Sequence, residues 1–246
     1  MSVIKNVLGR VFALWAALVF CVTLLIVLLP LWALGFVAEP RRSQLMQPIF
    51  RGWMAIFFTL SGVRRSYRGR QHFKKGENYV VVCNHRSYLD PPLSTPGIIG
   101  GNKTIAKHEM VKIPLFGIIY RRGSVLVNRK SEESRKQSYV RMRDVLLRLR
   151  LHMCIYPEGT RNRGSEPLTR FHDGAFRLAV ETGKPVIPAL LFNSDKVLPN
   201  DKGFFFWPQR VAMHFLAPVS PSGKTTEQLR DEVFAIMNTY YKETKI

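Results

Sequence analysis

In the segment Asn84-His85-Arg86-Ser87-Tyr88-Leu89-Asp90, a histidine and an aspartate stand five positions apart, a pairing suited to acid–base chemistry. A neutral imidazole takes a proton from a hydroxyl near neutral pH. A carboxylate on its other ring nitrogen fixes the tautomer and stabilises the imidazolium that forms. A spacing of five does not share one helix face, where neighbours lie three or four apart, but it suits a turn that folds the aspartate back to the ring. The plain alternative is a loop histidine and a helix-capping aspartate that never meet. A second group is Tyr156-Pro157-Glu158-Gly159-Thr160-Arg161. Gly159 lets a ligand approach the backbone, Thr160 adds a hydroxyl, and Arg161 carries a planar donor fork that fits phosphate. Glu158 either takes a substrate hydroxyl or holds Arg161 in place. Between the two groups, Lys107, Arg121, Arg122 and Arg129 are expected to surround a phosphate. The turn Phe171-His172-Asp173-Gly174 leads into a helix whose N-terminus would also suit an anion.

Both candidate groups follow short apolar runs, so both sit where a strand ends and a loop begins, as reacting groups do in α/β proteins. Expected strands are Tyr79–Cys83, Lys103–Ala106, Ser124–Asn128, His152–Tyr156, Pro185–Phe192 and Arg210–Leu216. Expected helices are Pro91–Ile99, Pro114–Arg121, Ser131–Leu151, Gly174–Thr182 and Thr226–Tyr241. The pattern predicts an α/β fold, a mixed and largely parallel sheet flanked by helices. Val186-Ile187-Pro188 reads as a buried strand that shapes a wall.

The first part of the chain is different. From Val11 to Ala38 there is no charged side chain, a run longer than the roughly 20 apolar residues that span a bilayer core. It is too long for a signal-peptide core. Pro30 allows a bent span or a re-entrant helical pair. A second apolar stretch, Ile49 to Val63, is short for a span and is expected to lie in the interface with Trp53, Phe57 and Phe58 in lipid, or else to pack as a core helix. The expected division is residues 1–66 as a membrane-anchoring helical segment, one span or a re-entrant pair, and residues 67–246 as the α/β domain. The aromatic run Phe204 to Trp207 suits either the membrane interface or the core.

Lys and Arg total 37 against 17 Asp and Glu, a net charge of +20. Such a surplus favours an anionic partner. An apolar N-terminal segment has no role in nucleic-acid binding, which leaves anionic lipid or phosphorylated substrates. Basic residues are heavier after the apolar run than before it, so the bulk of the chain should face the cytoplasm. Three cysteines at wide spacing, Cys21, Cys83 and Cys154, suggest neither a metal set nor a disulfide framework, and read as small buried apolar residues in a reducing compartment.

Taken in order, His85 with Asp90, then Lys107 to Arg129, then Glu158-Gly159-Thr160-Arg161, then Val186-Ile187-Pro188 resemble the glycerolipid acyltransferase superfamily over roughly residues 75–220. The resemblance is strongest to the bacterial 1-acylglycerol-3-phosphate O-acyltransferases. It implies transfer of an acyl chain from acyl-CoA or acyl carrier protein to the free hydroxyl of a lysophospholipid at the inner membrane. It makes His85 the general base and Asp90 its orienting partner. Arg129, Glu158, Gly159 and Arg161 would bind the acceptor's phosphate and glycerol. No bound cofactor and no metal is required, because a thioester is already activated. Backbone amides after His85 or near Gly159 would stabilise the oxyanion. A Ser87 acyl-enzyme is a weaker alternative. His172 stands where the family often carries lysine, and Arg86 either contacts an anion or is simply exposed. These departures leave room for another acceptor, such as a lyso-ornithine lipid or other lysophospholipid. A rival of another class is a non-catalytic module that binds anionic lipid, but such a module has no use for a paired His and Asp.

Overall fold

Val80-Val81-Val82-Cys83 is buried on both faces, which marks it as an interior strand of a parallel sheet covered on both sides. In the computed structural model, which describes residues 3–246, it is β2 of seven strands. The others are β1 (Arg64–Arg68), β3 (Asn102–Lys107), β4 (Ser124–Val127), β5 (His152–Ile155), β6 (Val186–Phe192) and β7 (Arg210–Phe215). Their order is β1-β7-β6-β2-β5-β3-β4. Every adjacent pair is parallel except β6 with β7. The fold is therefore the mixed, mostly parallel sheet read from the sequence.

Helices α1 (Val3–Ala33), α2 (Arg41–Leu60) and α3 (Asp90–Gly97) cover one face, packing on Val81, Cys83, Cys154 and Ile187. Helices α5 (Glu132–Leu147), α6 (Gly174–Thr182) and α8 (Thr226–Glu243) cover the other, packing on Val80, Val82, Met153 and Leu190. Short helices α4 (Gly117–Gly123) and α7 (Ser194–Val197) sit in the loops that follow β3 and β6. Local chemistry sets the ends. The Ser131 hydroxyl accepts from Ser134 N at the start of α5, and a Thr225/Gln228 capping box opens α8. Helix α5 stops at Leu147, four residues short of the expected end. Arg150 takes φ 52 there and turns the chain into β5.

The N-terminal region departs from expectation. Helix α2 starts at Arg41, and its aromatic residues point inward. Trp53, Phe57 and Phe58 are 4%, 5% and 0% exposed, and the Trp53 indole donates to Thr23 Oγ1 at 2.9 Å. These rings pack on α1 and the sheet, so they are not lipid anchors. The division drawn at residue 66 falls inside β1, which already belongs to the sheet.

Helix α1 is long and apolar enough to cross a membrane, yet it lies against the body along its length, about 46 Å at 1.5 Å per residue. Its inward stripe begins with Gly9, Ala13 and Ala16. A Cβ at Gly9 would fall 2.1 Å from the Phe205 ring, so only glycine admits this contact. The backbone N–H of Phe206 donates to the Gly9 carbonyl. At the other end the Arg122 guanidinium donates to the carbonyls of Leu31 and Trp32, capping the helix. For Arg122 that is a correction, and for the aromatic run it selects the core over the membrane interface. Arg122 does not face a phosphate, and Phe205 and Phe206 clasp α1 while Phe204 alone of the run is strongly exposed. The outward face of α1 is a continuous apolar surface that includes Leu14, Leu18, Leu25 and Leu29. Cys21 lies on the exposed side rather than in the core, whereas Cys83 and Cys154 are buried with their sulfurs 3.8 Å apart.

Candidate active site

Strands β2, β3, β4 and β5 run parallel, so the segments that follow them, carrying His85, Lys107, Arg129 and Glu158, gather at one edge of the sheet. After β2 the chain turns at once, and Asp90 opens α3. That turn brings the dyad together: His85 Nδ1 lies 2.7 Å from Asp90 Oδ2. The same oxygen accepts the backbone N–H groups of Arg86 and Ser87, each at 2.7 Å. Three donors on one fully buried carboxylate oxygen hold it where the imidazole needs it. The His85 ring stacks on Tyr156, centroids 4.3 Å apart, and the Tyr156 hydroxyl pairs with Ser94 Oγ at 2.7 Å. Burial pushes the Tyr156 hydroxyl well up, so the ring is a neutral platform.

Both backbone groups of His85 are held by the segment after β5. His85 N–H donates to Glu158 Oε1 at 2.7 Å, and Asn162 N–H donates to the His85 carbonyl at 2.7 Å. Glu158 Oε2 accepts from the Thr169 backbone and hydroxyl at 2.9 and 2.7 Å. Both carboxylate oxygens are thus engaged within the chain. Burial raises the Glu158 carboxyl, and the hydrogen bonds from Thr169 and His85 oppose that rise. Glu158 does not hold Arg161, which instead donates to Asn200 Oδ1 at 2.7 Å and lies over the Tyr88 ring at 3.4 Å.

Gly159 has φ 70, and a Cβ there would lie 3.0 Å from His172 Cδ2. Its carbonyl accepts from Arg129 Nη1. His85, Asp90, Glu158, Gly159 and Arg129 therefore form one contiguous constellation, with Arg161 joined to it through Asn200 and Arg86. Lys107 and Thr160 are exposed, and among the described residues neither side chain makes a hydrogen bond or ion pair. His172 packs against Gly159, and Asp173 beside it pairs with Arg230 at 2.5 Å.

Two side chains in the turn have other tasks. Ser87 is buried, its hydroxyl donates to the Leu198 carbonyl at 2.8 Å, and it accepts from Leu89 N. It is a turn brace, not a nucleophile. Arg86 is neither an anion contact nor free. It pairs with Asp195 at 2.9 Å and donates to the carbonyls of Glu166 and Gly164.

Four residues escape a reading of the sequence. Asn84 exchanges two hydrogen bonds with Leu191 of β6, at 3.0 and 2.7 Å, and fixes the strand end. Thr169, Asn200 and Tyr156 complete the frame. Asn84 carries a local signal, an amide ending an apolar run, and Tyr156 heads a quoted motif. Thr169 and Asn200 carry none, since their partners are 11 and 39 or more residues away.

A family model described as Acyltransferase matches residues 64–191, more than half of the chain. The chain belongs to the acyltransferase family. Among relatives of this acyltransferase, the 1-acyl-sn-glycerol-3-phosphate acyltransferase alpha of Mus musculus is 31% identical over 188 residues, 75% of this chain and 66% of the relative. The 1-acyl-sn-glycerol-3-phosphate acyltransferase of Haemophilus influenzae is 28% identical over 186 residues, 73% of each. That of Borreliella burgdorferi is 29% identical over 148 residues, 60% of this chain and 58% of the relative. The chain thus spans under two thirds of the mouse and Borreliella proteins. The crystal structure of the 1-acyl-sn-glycerophosphate (LPA) acyltransferase from Thermotoga maritima superimposes with a TM-score of 0.81 over 98% of this acyltransferase and 99% of that chain, at 21% identity. At that identity the likeness speaks for the fold.

Proposed function

We propose that the protein transfers an acyl chain from acyl-CoA or acyl carrier protein to the free hydroxyl of 1-acylglycerol-3-phosphate, giving phosphatidic acid. The observation that carries this reading is the 2.7 Å contact between His85 Nδ1 and the buried Asp90 carboxylate. The names of the relatives support the acceptor. With Nδ1–H donated to Asp90, His85 Nε2 takes the proton of the acceptor hydroxyl as its oxygen attacks the thioester carbonyl. The tetrahedral oxyanion then collapses, the carbon–sulfur bond breaks, and the imidazolium returns the proton to the leaving thiolate. No bound cofactor enters these steps.

Most backbone donors in the turn after His85 are already occupied. The amides of residues 85, 86, 87, 89 and 90 are all engaged within the protein, as is that of Gly159. The Thr160 amide and hydroxyl, beyond Gly159, are the groups we assign to the oxyanion. Arg129, Arg161 and Lys107 line the same edge and supply the positive charge that an acceptor phosphate needs. Helix α1, held to the body at both ends, would place its leucine face in the lipid. The basic flank of the protein would then face the inner leaflet of the cell membrane from the cytoplasm. The test is an assay of purified protein on a panel of lyso-lipid acceptors with each donor. Phosphatidic acid as the dominant product supports the reading, and preference for lyso-ornithine lipid or another lysophospholipid overturns the acceptor.

A further inference from the structure

A second basic site lies on the flank of the membrane-side layer, away from the dyad. Arg51 of α2, Arg64 and Arg65 of β1, and Arg70 just after it line a cavity of about 910 Å³, with Tyr67 and Pro96 in its wall. Helix α3 separates it from the dyad: Asp90 opens the helix and Pro96 and Gly97 close it at the cavity, about 10 Å away at 1.5 Å per residue. Among the described residues, no carboxylate forms an ion pair with any of the four arginines.

Their guanidinium groups are aimed by backbone carbonyls instead. Arg51 donates to Pro96 O at 3.2 Å and Ile98 O at 3.0 Å, Arg70 to Gly97 O at 3.1 Å, and Arg65 to the carbonyls of Met54 and Ala55 at 3.3 Å. Arg70 also stacks on Tyr67, 4.0 Å from the ring centre. The Arg64 side chain is exposed and, among the described residues, makes no hydrogen bond. Carbonyls orient these groups but do not neutralise them. The end of a helix offers about half a negative charge, against four cations. Burial holds the Arg70 guanidinium below its usual value, and the nearby Arg51 and Arg65 charges lower it further. Four cations so arranged would attract a polyvalent anion.

What stands at the mouth selects the anion's source. Thr59 lines the cavity, and Ile56 and Leu60 beside it are 53% and 50% exposed. The Trp15 indole donates to the Leu60 carbonyl, which places the apolar outer face of α1 alongside. Positive cavity and apolar rim together match one amphiphile. We propose that this basin binds the phosphate of an anionic phospholipid, with its acyl chains along Leu60 and α1, as a lipid site separate from the acceptor site.

The test uses the full chain in detergent micelles, with thermal unfolding followed against short-chain phosphatidylglycerol, short-chain phosphatidylcholine and inorganic phosphate. Phosphatidylglycerol should stabilise the wild type at the lowest concentration. Arg64→Glu, which removes no side-chain hydrogen bond or ion pair, should raise the half-effect concentration about threefold, and Arg64→Glu with Arg65→Gln about tenfold. KM for the lyso-lipid acceptor should not change. Equal midpoints in wild type and both variants would overturn the site. Inorganic phosphate acting at the same concentration as the lipid would overturn the lipid assignment. A parallel rise in acceptor KM would make the basin part of the acceptor site and overturn the separation. The unfolding readout does not depend on the proposed reaction.

Discussion

Replacing Asp90 by asparagine isolates the carboxylate's charge from its geometry. The amide oxygen keeps the place of Asp90 Oδ2, so it still accepts from Arg86 N, Ser87 N and His85 Nδ1. The tautomer is preserved and only the charge is lost. That charge matters when the imidazole gains a proton, because two unit charges about 4 Å apart interact by about 4 kcal/mol at an effective dielectric constant near 20. The amide dipole retains part of this, which leaves a loss of about 3 kcal/mol, a factor of about 10² in rate. The imidazole is neutral before reaction, so the loss should fall on kcat, with acceptor KM within about twofold. The new NH2 occupies the place of Asp90 Oδ1, which is buried without a partner. It costs about 1–3 kcal/mol of stability, partly offset by removal of a buried charge. The assay is thiol release from acyl-CoA on saturating lyso-lipid, run well below the variant's Tm, with circular dichroism as the check on folding. A folded variant with kcat within tenfold of wild type, or a loss confined to KM, would show that the Asp90 charge does not stabilise the imidazolium.

Ser87→Ala should keep kcat within about threefold, because the hydroxyl is bound to Leu198 and Leu89, and should cost only about 1 kcal/mol of stability. A burst of acyl-enzyme lost in this variant would contradict direct transfer. His152, buried between Tyr79 and Phe73, accepts from Tyr79 N, and burial lowers it from 6.5 to about 4. The unfolded chain binds the proton first as pH falls, so this residue's stabilisation is full above pH 6.5 and drains away between 6.5 and about 4, reaching about 3 kcal/mol. His152→Asn, which keeps an acceptor for Tyr79 N, should flatten that slope in urea melts taken between pH 7 and 4.5; an unchanged slope would assign it elsewhere. On the outer face of α1, Leu18→Asp with Leu25→Asp should weaken vesicle binding by at least about a hundredfold with the fold intact, since each leucine, 54% and 59% exposed, contributes about 1.5 kcal/mol or more when buried in lipid. Unchanged flotation would remove this face from the membrane.

The dyad was legible because it is local: the eight residues from Cys83 to Asp90 contain the strand end, the turn and both partners. The interior strands β2 and β6 were legible for a similar reason, since burial on both faces leaves an uninterrupted apolar run. Strand β1 was not, because three of its five residues are arginines. It is an edge strand paired with β7, some 146 residues on, as in the Arg64–Arg210 pair. Helix α2 misled for the opposite reason. Its aromatics are apolar enough for lipid, and only the tertiary fact that α1 lies over them makes them core. The same non-locality hid the work of the arginines. A guanidinium beside a glycine-rich turn reads as a phosphate ligand, yet Arg122 caps a helix 90 residues earlier and Arg86 braces loops around residues 164, 166 and 195. Glu158 was found by its motif, but its partners His85 N and Thr169 emerge only when β2 and β5 lie side by side.

The proposed reaction turns on the imidazole at position 85 removing the proton from a lyso-lipid hydroxyl. Phosphatidic acid formation from 1-acylglycerol-3-phosphate and a thioester donor should be compared for wild type and His85→Ala at equal loading on the same vesicles. The variant's rate should fall by about 10²–10⁴ with vesicle binding unchanged. A His85→Ala protein that still makes phosphatidic acid at a rate near wild type would contradict it.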